Sequence, residues 1–346
     1  MAGSAGGGRG GSASGSGGSS AGGSGAGSSI SVPLDSSLMS KCSGTSPIRC
    51  TIPVPADGDY NVTVELGSAT AASTSRVQAE LYRIVVPPVM LPAGMYSQQT
   101  FSVNVRAEKH DGYSAPGMIL DVLIDGAAPA LHGLGFAAAP NIPTIFVAGD
   151  STLCDWDPAL GSILSPIERG WAQELSQYLK PGIAVANYAD SGETAGSFYN
   201  KFFTPAKAAL RAGDYVFIEF GHNDQKNASD VANYKTNLTR YITDAKAKNA
   251  TPVLLTPVGR KGASTGNAGF GGLDQQMRDL AMAQNVTLVD LTMLSIAFYK
   301  TVPTLSDIFA TPSEGTHFSE LGATDISGLV ANAFKAGTLP LRDFVK

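Results

Sequence analysis

Ser151 closes the run Thr144-Ile-Phe-Val-Ala-Gly149-Asp150-Ser151, a β-branched and aromatic stretch that reads as a buried strand ending in a Gly-Asp turn. A hydroxyl at the carboxyl end of such a strand stands where open α/β sheets keep their chemistry. A serine there is a candidate nucleophile for acyl transfer if the chain also supplies a base, an orienting carboxylate and oxyanion donors. Downstream blocks hold those residue types: Asp190-Ser191-Gly192-Glu193-Thr194-Ala195-Gly196, Gly221-His222-Asn223-Asp224 and Glu314-Gly315-Thr316-His317. Ser151 also has a plainer reading, since Asp-Ser at a strand end is ordinary helix N-cap chemistry.

The elements that must position these blocks alternate along the second half of the chain. Strands are legible at Thr144–Ala148, Ile183–Asn187, Tyr215–Phe220, Thr251–Thr256 and Val286–Asp290. Helical patterns fall between and after them, at Gly170–Leu179, Pro205–Leu210, Val231–Lys248, Leu273–Gln284 and Glu320–Phe334. This alternation predicts an α/β fold, a parallel sheet with helices on both faces, with each block in a loop at a strand's carboxyl end or just before a helix.

The blocks, in this order and at these places, resemble the SGNH (GDSL) hydrolases, and within them the rhamnogalacturonan acetylesterase branch. The likeness runs from Ile142 to Phe334 and implies the SGNH three-layer α/β/α fold. It implies Ser151 as nucleophile and His317 as base. The oxyanion hole would be the backbone N–H groups of Ser151 and Gly192 with the Asn223 side-chain amide. Physical chemistry agrees: a serine hydroxyl is inert near neutral pH until an imidazole takes its proton, and glycine lets a backbone N–H approach substrate closely. One departure stands out. The family pattern is Asp-x-x-His, whereas this chain has Glu314 three residues before His317. Glu314 is assigned as the orienting acid; the alternatives are a backbone carbonyl on His317 with Glu314 solvated, or Asp307 as a substitute acid.

Neighbouring residues have plainer roles. Asp150 is expected to fix the turn or cap the next helix, and His222 to be a surface histidine. Cys154 has no base marked for it and reads as a buried thiol. Trp156 reads as core or as a flank of the site entrance, and Trp171 as core. The glycine-rich stretch Lys261–Gly272 reads as a loop and a candidate cleft wall.

The front of the chain differs. Residues 1–29, almost wholly Gly, Ser and Ala after the first Met, have nothing to bury and read as a flexible linker. Residues 30–140 carry period-two runs at Tyr60–Leu66, Val77–Val86, Thr100–Arg106 and Met118–Asp125, with turn signals at Pro87-Pro88, Pro92–Gly94, Asp111-Gly112 and Asp125-Gly126. They predict a small all-β sandwich domain ahead of an esterase domain at 141–346. Tyr82, Tyr96 and Tyr113 are candidates for a glycan platform, with core packing as the alternative; His110 and His132 read as surface or satisfied core residues. Cys42 and Cys50 close one short loop and suit a disulfide worth about 2–3 kcal/mol, and nothing near them completes a zinc set.

Composition bounds the partners. The 346 residues are 43% hydrophobic and carry a net charge of −5. An acidic surface argues against nucleic acid, and no apolar run is long enough to span a bilayer. No leader peptide is visible, yet the Gly/Ser tail and the cysteine pair suit a secreted or cell-surface protein. The chain has no Gly-x-Ser-x-Gly elbow at the end of a strand, and it lacks His-Glu-x-x-His, a Gly-Lys-Ser/Thr phosphate loop and Cys-x-x-Cys. The expected chemistry requires no metal and no cofactor, and a monomer is expected. The resulting expectation is a serine esterase that deacetylates a plant cell-wall polysaccharide, rhamnogalacturonan first and xylan second. Its rivals are a glycan-binding protein with an inactive hydrolase fold, and a lipase or thioesterase of the same superfamily.

Overall fold

The structure is a computed structural model and describes residues 30–110, 113–157, 168–263 and 268–346. The tail Ala2–Ser29, the Asp111-Gly112 turn and part of the Lys261–Gly272 loop lie outside the described residues, as do the side chains of His110 and Tyr113.

Among the described residues ten strands make the N-terminal region: β1 (Cys42–Ser43), β2 (Ile48–Pro53), β3 (Gly58–Gly67), β4 (Ser73–Ala79), β5 (Arg83–Leu91), β6 (Tyr96–Val105), β7 (Glu108–His110), β8 (Tyr113–Ala115), β9 (Ile119–Ala128) and β10 (Leu131–Ala138). They pair antiparallel into sheets β1-β2-β9-β4-β5 and β10-β3-β6 and a β7-β8 hairpin. Alternate residues of the two larger sheets, among them Val62, Val64, Val77, Phe101 and Val122, form one shared apolar core. Cys42 and Cys50 are joined by a disulfide.

Three expectations fail here, each for a physical reason. The run Val77–Val86 is two strands, broken at Glu80–Tyr82, where Glu80 and Tyr82 both take φ 55°. Pro87-Pro88 marks no turn; it lies within β5, exposed on a strand at the sheet edge, where a missing N–H is harmless. Asp125-Gly126 also ends nothing. β9 runs through it on an irregularity where Gly126 has φ 126° and a Cβ would lie 2.3 Å from the Thr74 carbonyl.

The α/β core comes next, with strands β11 (Thr144–Ala148), β12 (Ala184–Asn187), β13 (Tyr215–Ile218), β14 (Thr251–Leu255) and β15 (Thr287–Val289). All pair parallel in the order β12-β11-β13-β14-β15, so strands are added to one side of β11 and then to the other, and the winding reverses there. Period two sorts β11: Ile145 and Val147 enter one apolar cluster, Phe146 and Ala148 the other. Helices α1 (Ala195–Lys201), α2 (Phe203–Ala209), α3 (Ala228–Ala247) and α4 (Leu273–Gln284) supply the second cluster; α5 (Leu291–Tyr299) and α6 (Glu320–Ala336) supply the first. The segment expected as a helix at Gly170–Leu179 is a 3₁₀ helix, Trp171–Tyr178. Helix α5 was not expected. It is mostly apolar all round, which hides the helical period, although Asp290 caps it by accepting from Met293 N–H.

Candidate active site

The loops after β11, β12 and β13 leave adjacent strands at the switch point, and each carries one block of the site. After β11 the chain turns sharply. Asp150 is fully buried, and its Oδ1 accepts from the backbone and hydroxyl of Thr152 at 3.0 and 2.9 Å. Burial pushes the Asp150 carboxyl up, against those two bonds. Its role is to hold the turn, as its place in the sequence suggests. Behind that turn lies Gly170, where a Cβ would sit 2.2 Å from the Cys154 carbonyl, so only glycine admits the close approach.

Ser151 is 6% exposed, and its Oγ lies 2.9 Å from His317 Nε2. The histidine arrives from outside the sheet, two residues before Ser319 caps α6. Two isolated bridges fix its segment: Phe318 pairs with Arg169 on one side and Phe309 on the other. Burial pushes the imidazole below its ordinary value, with Glu314 and Asp150 pulling the other way. The ring is therefore neutral, and able to accept a proton, over more of the acid range than a free histidine.

The expected acid is bound chiefly to its own turn. Glu314 Oε1 accepts from the backbone N–H of Gly315, Thr316 and His317 at 2.9, 2.7 and 3.3 Å. The same oxygen lies 3.7 Å from His317 Nδ1, beyond hydrogen-bond distance. Burial raises the Glu314 carboxyl, but the backbone donors outweigh it and hold the group below its ordinary value. Asp307 lies in the 3₁₀ turn Leu305–Ile308, where its backbone carbonyl accepts from Ser319 Oγ.

Gly192, after β12, takes φ 78°, a conformation that suits glycine, and a Cβ there would meet nothing within 4 Å. Two residues on, Thr194 caps α1 with a reciprocal bond pair to Ser197. Asn223, after β13, donates Nδ2 to the Glu193 carbonyl at 3.0 Å and accepts at Oδ1 from Lys226 Nζ at 2.7 Å. The amide is thus oriented from both ends, and the Gly192 and Asn223 loops are tied together. Asp224 adds a second tie, accepting from Ala195 N–H at 3.0 Å; burial pushes its carboxyl up to about 7.

His222 is not the surface residue its block suggested. It is 2% exposed, bonded through Nε2 to the Val258 carbonyl and through Nδ1 to Arg260 Nε, and burial followed by Arg260 pushes it down to about 3. A neutral imidazole in that bracket is a strut. Cys154 is buried; its Sγ lies 3.6 Å from the Ser151 carbonyl, and burial raises the thiol well above its ordinary value. Trp171 is fully buried, its indole N–H on Glu219 Oε2 at 2.8 Å.

Sequence reasoning left one participant in this geometry open between core and the flank of the site, and missed another. Trp156 stands edge-on to His317 at 6.0 Å between ring centres and donates Nε1–H to the Ser151 carbonyl, so it walls the site. Glu168, 8% exposed, places Oε1 3.7 Å from His317 Nδ1. Nothing but its place ahead of Arg169-Gly170-Trp171 marked it. Among the described residues no cluster of His, Cys, Asp and Glu suited to a metal ion is present.

Residues 147–324 match the GDSL-like Lipase/Acylhydrolase family. Over 219 residues the chain is 31% identical to rhamnogalacturonan acetylesterase RhgT of Bacillus subtilis, covering 58% of this chain and 92% of RhgT. It is 30% identical over 215 residues to a probable rhamnogalacturonan acetylesterase of that organism, YesY, covering 58% of this chain and 96% of YesY. The crystal structure of YxiM from Bacillus subtilis superposes with a TM-score of 0.52 at 26% identity, covering 84% of this chain and 80% of that one. With a serine and an imidazole in contact at the switch point of its parallel sheet, the chain belongs to the GDSL-like lipase/acylhydrolase family and is a carboxylic ester hydrolase.

Proposed function

We propose that the chain is a serine esterase that removes O-acetyl groups from a plant cell-wall polysaccharide, acetylated rhamnogalacturonan first and acetylated xylan second. The observation that carries the reading is the 2.9 Å contact between Ser151 Oγ and His317 Nε2, made by residues far apart in sequence. The acetyl and polysaccharide preference is supported by what RhgT and YesY are named for.

In this reading His317 takes the Ser151 proton as the hydroxyl attacks the ester carbonyl. The oxyanion that forms is received by the N–H groups of Ser151 and Gly192 and by the Asn223 amide, whose other end Lys226 holds. Glu314 steadies the imidazolium. The sugar alcohol leaves with the proton from His317, and water activated by the same ring releases acetate from the acyl-enzyme. No step calls for a metal or a cofactor. Residues 141–346 would carry the reaction and the N-terminal β region would support them. Export is part of the proposal, supported by the Cys42–Cys50 bond and the Gly/Ser tail.

The test is acetate release from acetylated rhamnogalacturonan, xylan and mannan, with p-nitrophenyl esters of increasing chain length, by wild type and Ser151→Ala. Equal rates for the two proteins would sink the serine mechanism. Turnover that rises with acyl length would replace the deacetylase by a lipase or thioesterase.

A further inference from the structure

We propose that Glu168 is a positioning residue of this site, the acceptor that takes the Nδ1–H of His317. The inference rests on the serine esterase reading and deepens it. With Ser151 donating to Nε2, the neutral ring carries its proton on Nδ1. That nitrogen is buried and has no hydrogen-bond partner among the described residues, although a buried N–H is costly to leave unbonded. Two carboxylates flank it at the same distance, Glu314 Oε1 and Glu168 Oε1, each at 3.7 Å.

They differ in what else holds them. The Glu314 oxygen facing the ring is the one that accepts three backbone N–H groups of its own turn, so moving it toward the ring would break that turn. The Glu168 carboxylate accepts no hydrogen bond among the described residues. Its backbone, however, is well placed. Arg169 N–H donates to the Phe318 carbonyl at 2.9 Å, so the segments bearing Glu168 and His317 are paired next to the side chains concerned. A shift of about 1 Å at the end of the Glu168 side chain makes the bond.

The carboxylates then divide the task. Glu314 caps the turn and adds negative charge; Glu168 fixes the tautomer and plane of the ring and follows it as it becomes imidazolium. Burial, and then the neighbouring Glu314, push the Glu168 carboxyl up to about 7, so its charge is gained over the range in which such an enzyme works. The groups facing the imidazole are Glu314, Asp150, Lys226 and Glu168, with Trp156 against its edge.

The experiment uses the full chain as wild type, Glu168→Gln, Glu168→Asp, Glu314→Gln and Ser151→Ala. It combines steady-state hydrolysis of p-nitrophenyl acetate across pH with an NMR titration of the ring nitrogens; with four histidines in the chain, His317 is readily assigned. Glu168→Gln is expected to lower kcat at least tenfold with KM within twofold of wild type, to lower the titration point of His317, and to remove an inflection near pH 7 from the rate profile. Glu168→Asp, which keeps the charge, should fall between, and supplies the same comparison if the glutamine variant does not fold. Wild-type kcat and an unmoved His317 titration in Glu168→Gln would overturn the proposal. Ser151→Ala reports separately: if it keeps releasing acetate the esterase reading fails, while the His317 titration still decides whether Glu168 governs the ring.

Discussion

Arg83, in the N-terminal β region, holds Asp155, four residues beyond Ser151, in an ion pair that is 2% exposed on one side and 0% on the other. Asp155 in turn accepts from Asn187 Nδ2 at 2.9 Å, and the same amide donates to the Leu153 carbonyl. From β6, Arg106 lies just past the strand end, bonds the Asn187 carbonyl and stacks over Tyr188 at 4.2 Å. The β region therefore grips the Ser151 turn and the loop leading to Gly192 together. Removing one partner of a buried pair typically costs about 3–5 kcal/mol. Arg83→Met should lower the melting temperature and also kcat, with KM much less affected. A variant that melts early yet turns over normally below its transition would confine Arg83 to stability.

Asn223 is the side-chain donor of the proposed oxyanion hole. Asn223→Ala should reduce kcat by about a hundred- to a thousand-fold, the usual cost of one such donor. Near-ultraviolet circular dichroism serves as the control for folding. Lys226→Ala, which leaves the amide but removes the cation bonded to its oxygen, should cost less than Asn223→Ala in the same assay. A larger loss for Lys226→Ala would put the charge, not the amide, in the leading role.

Cys154 is the only cysteine outside the disulfide, it is buried, and its thiol is pushed well above its ordinary value. The folded protein should resist iodoacetamide at pH 8 and keep its activity, whereas unfolding in guanidinium should expose one alkylatable thiol by mass spectrometry. Rapid inactivation of the folded enzyme would show that the turn opens in solution.

Glu174 is fully buried, and burial pushes its carboxyl up to about 8 against the opposing pull of Arg169 at 3.7 Å. The folded chain keeps a proton there that the unfolded chain gives up near 4.5. Stability from this group is complete below 4.5 and declines as pH rises toward 8. Denaturant unfolding at pH 5, 6.5 and 8 should show that decline, and Glu174→Gln should flatten it. Parallel curves for the two proteins would remove Glu174 from the pH dependence.

The parts legible in the sequence are those whose signal is local. The β11 strand, the turn to Ser151, the glycine at Gly192 and the helix that follows His317 each follow from a few neighbouring residues. The parts that stayed hidden depend on contacts between distant segments. Glu168 looks like any surface acid until the Arg169–Phe318 pairing brings it to the histidine, and the choice between core and site flank for Trp156 is made only where its edge meets that ring. The break at Glu80–Tyr82 defeated a clean alternating pattern because Leu81 and Arg83 answer to the other half of the chain: the Leu81 carbonyl takes Gln173 Nε2, and Arg83 takes Asp155. His222 was misjudged because a polar block at a loop looks solvated, whereas Val258 and Arg260 enclose it.

The pairing of Phe318 with Arg169 and Phe309 bears on how the enzyme dies when heated. Serine is rooted in the sheet, whereas its partner hangs on a short strap stitched by two isolated bridges and a few further bonds such as Lys261 N–H to the Gly315 carbonyl, with no strand of its own. Warming should slip those stitches before the sheet gives way, carrying off imidazole and acid as one piece. Catalysis would then fade several degrees ahead of the collapse of the fold, and return on cooling from that interval.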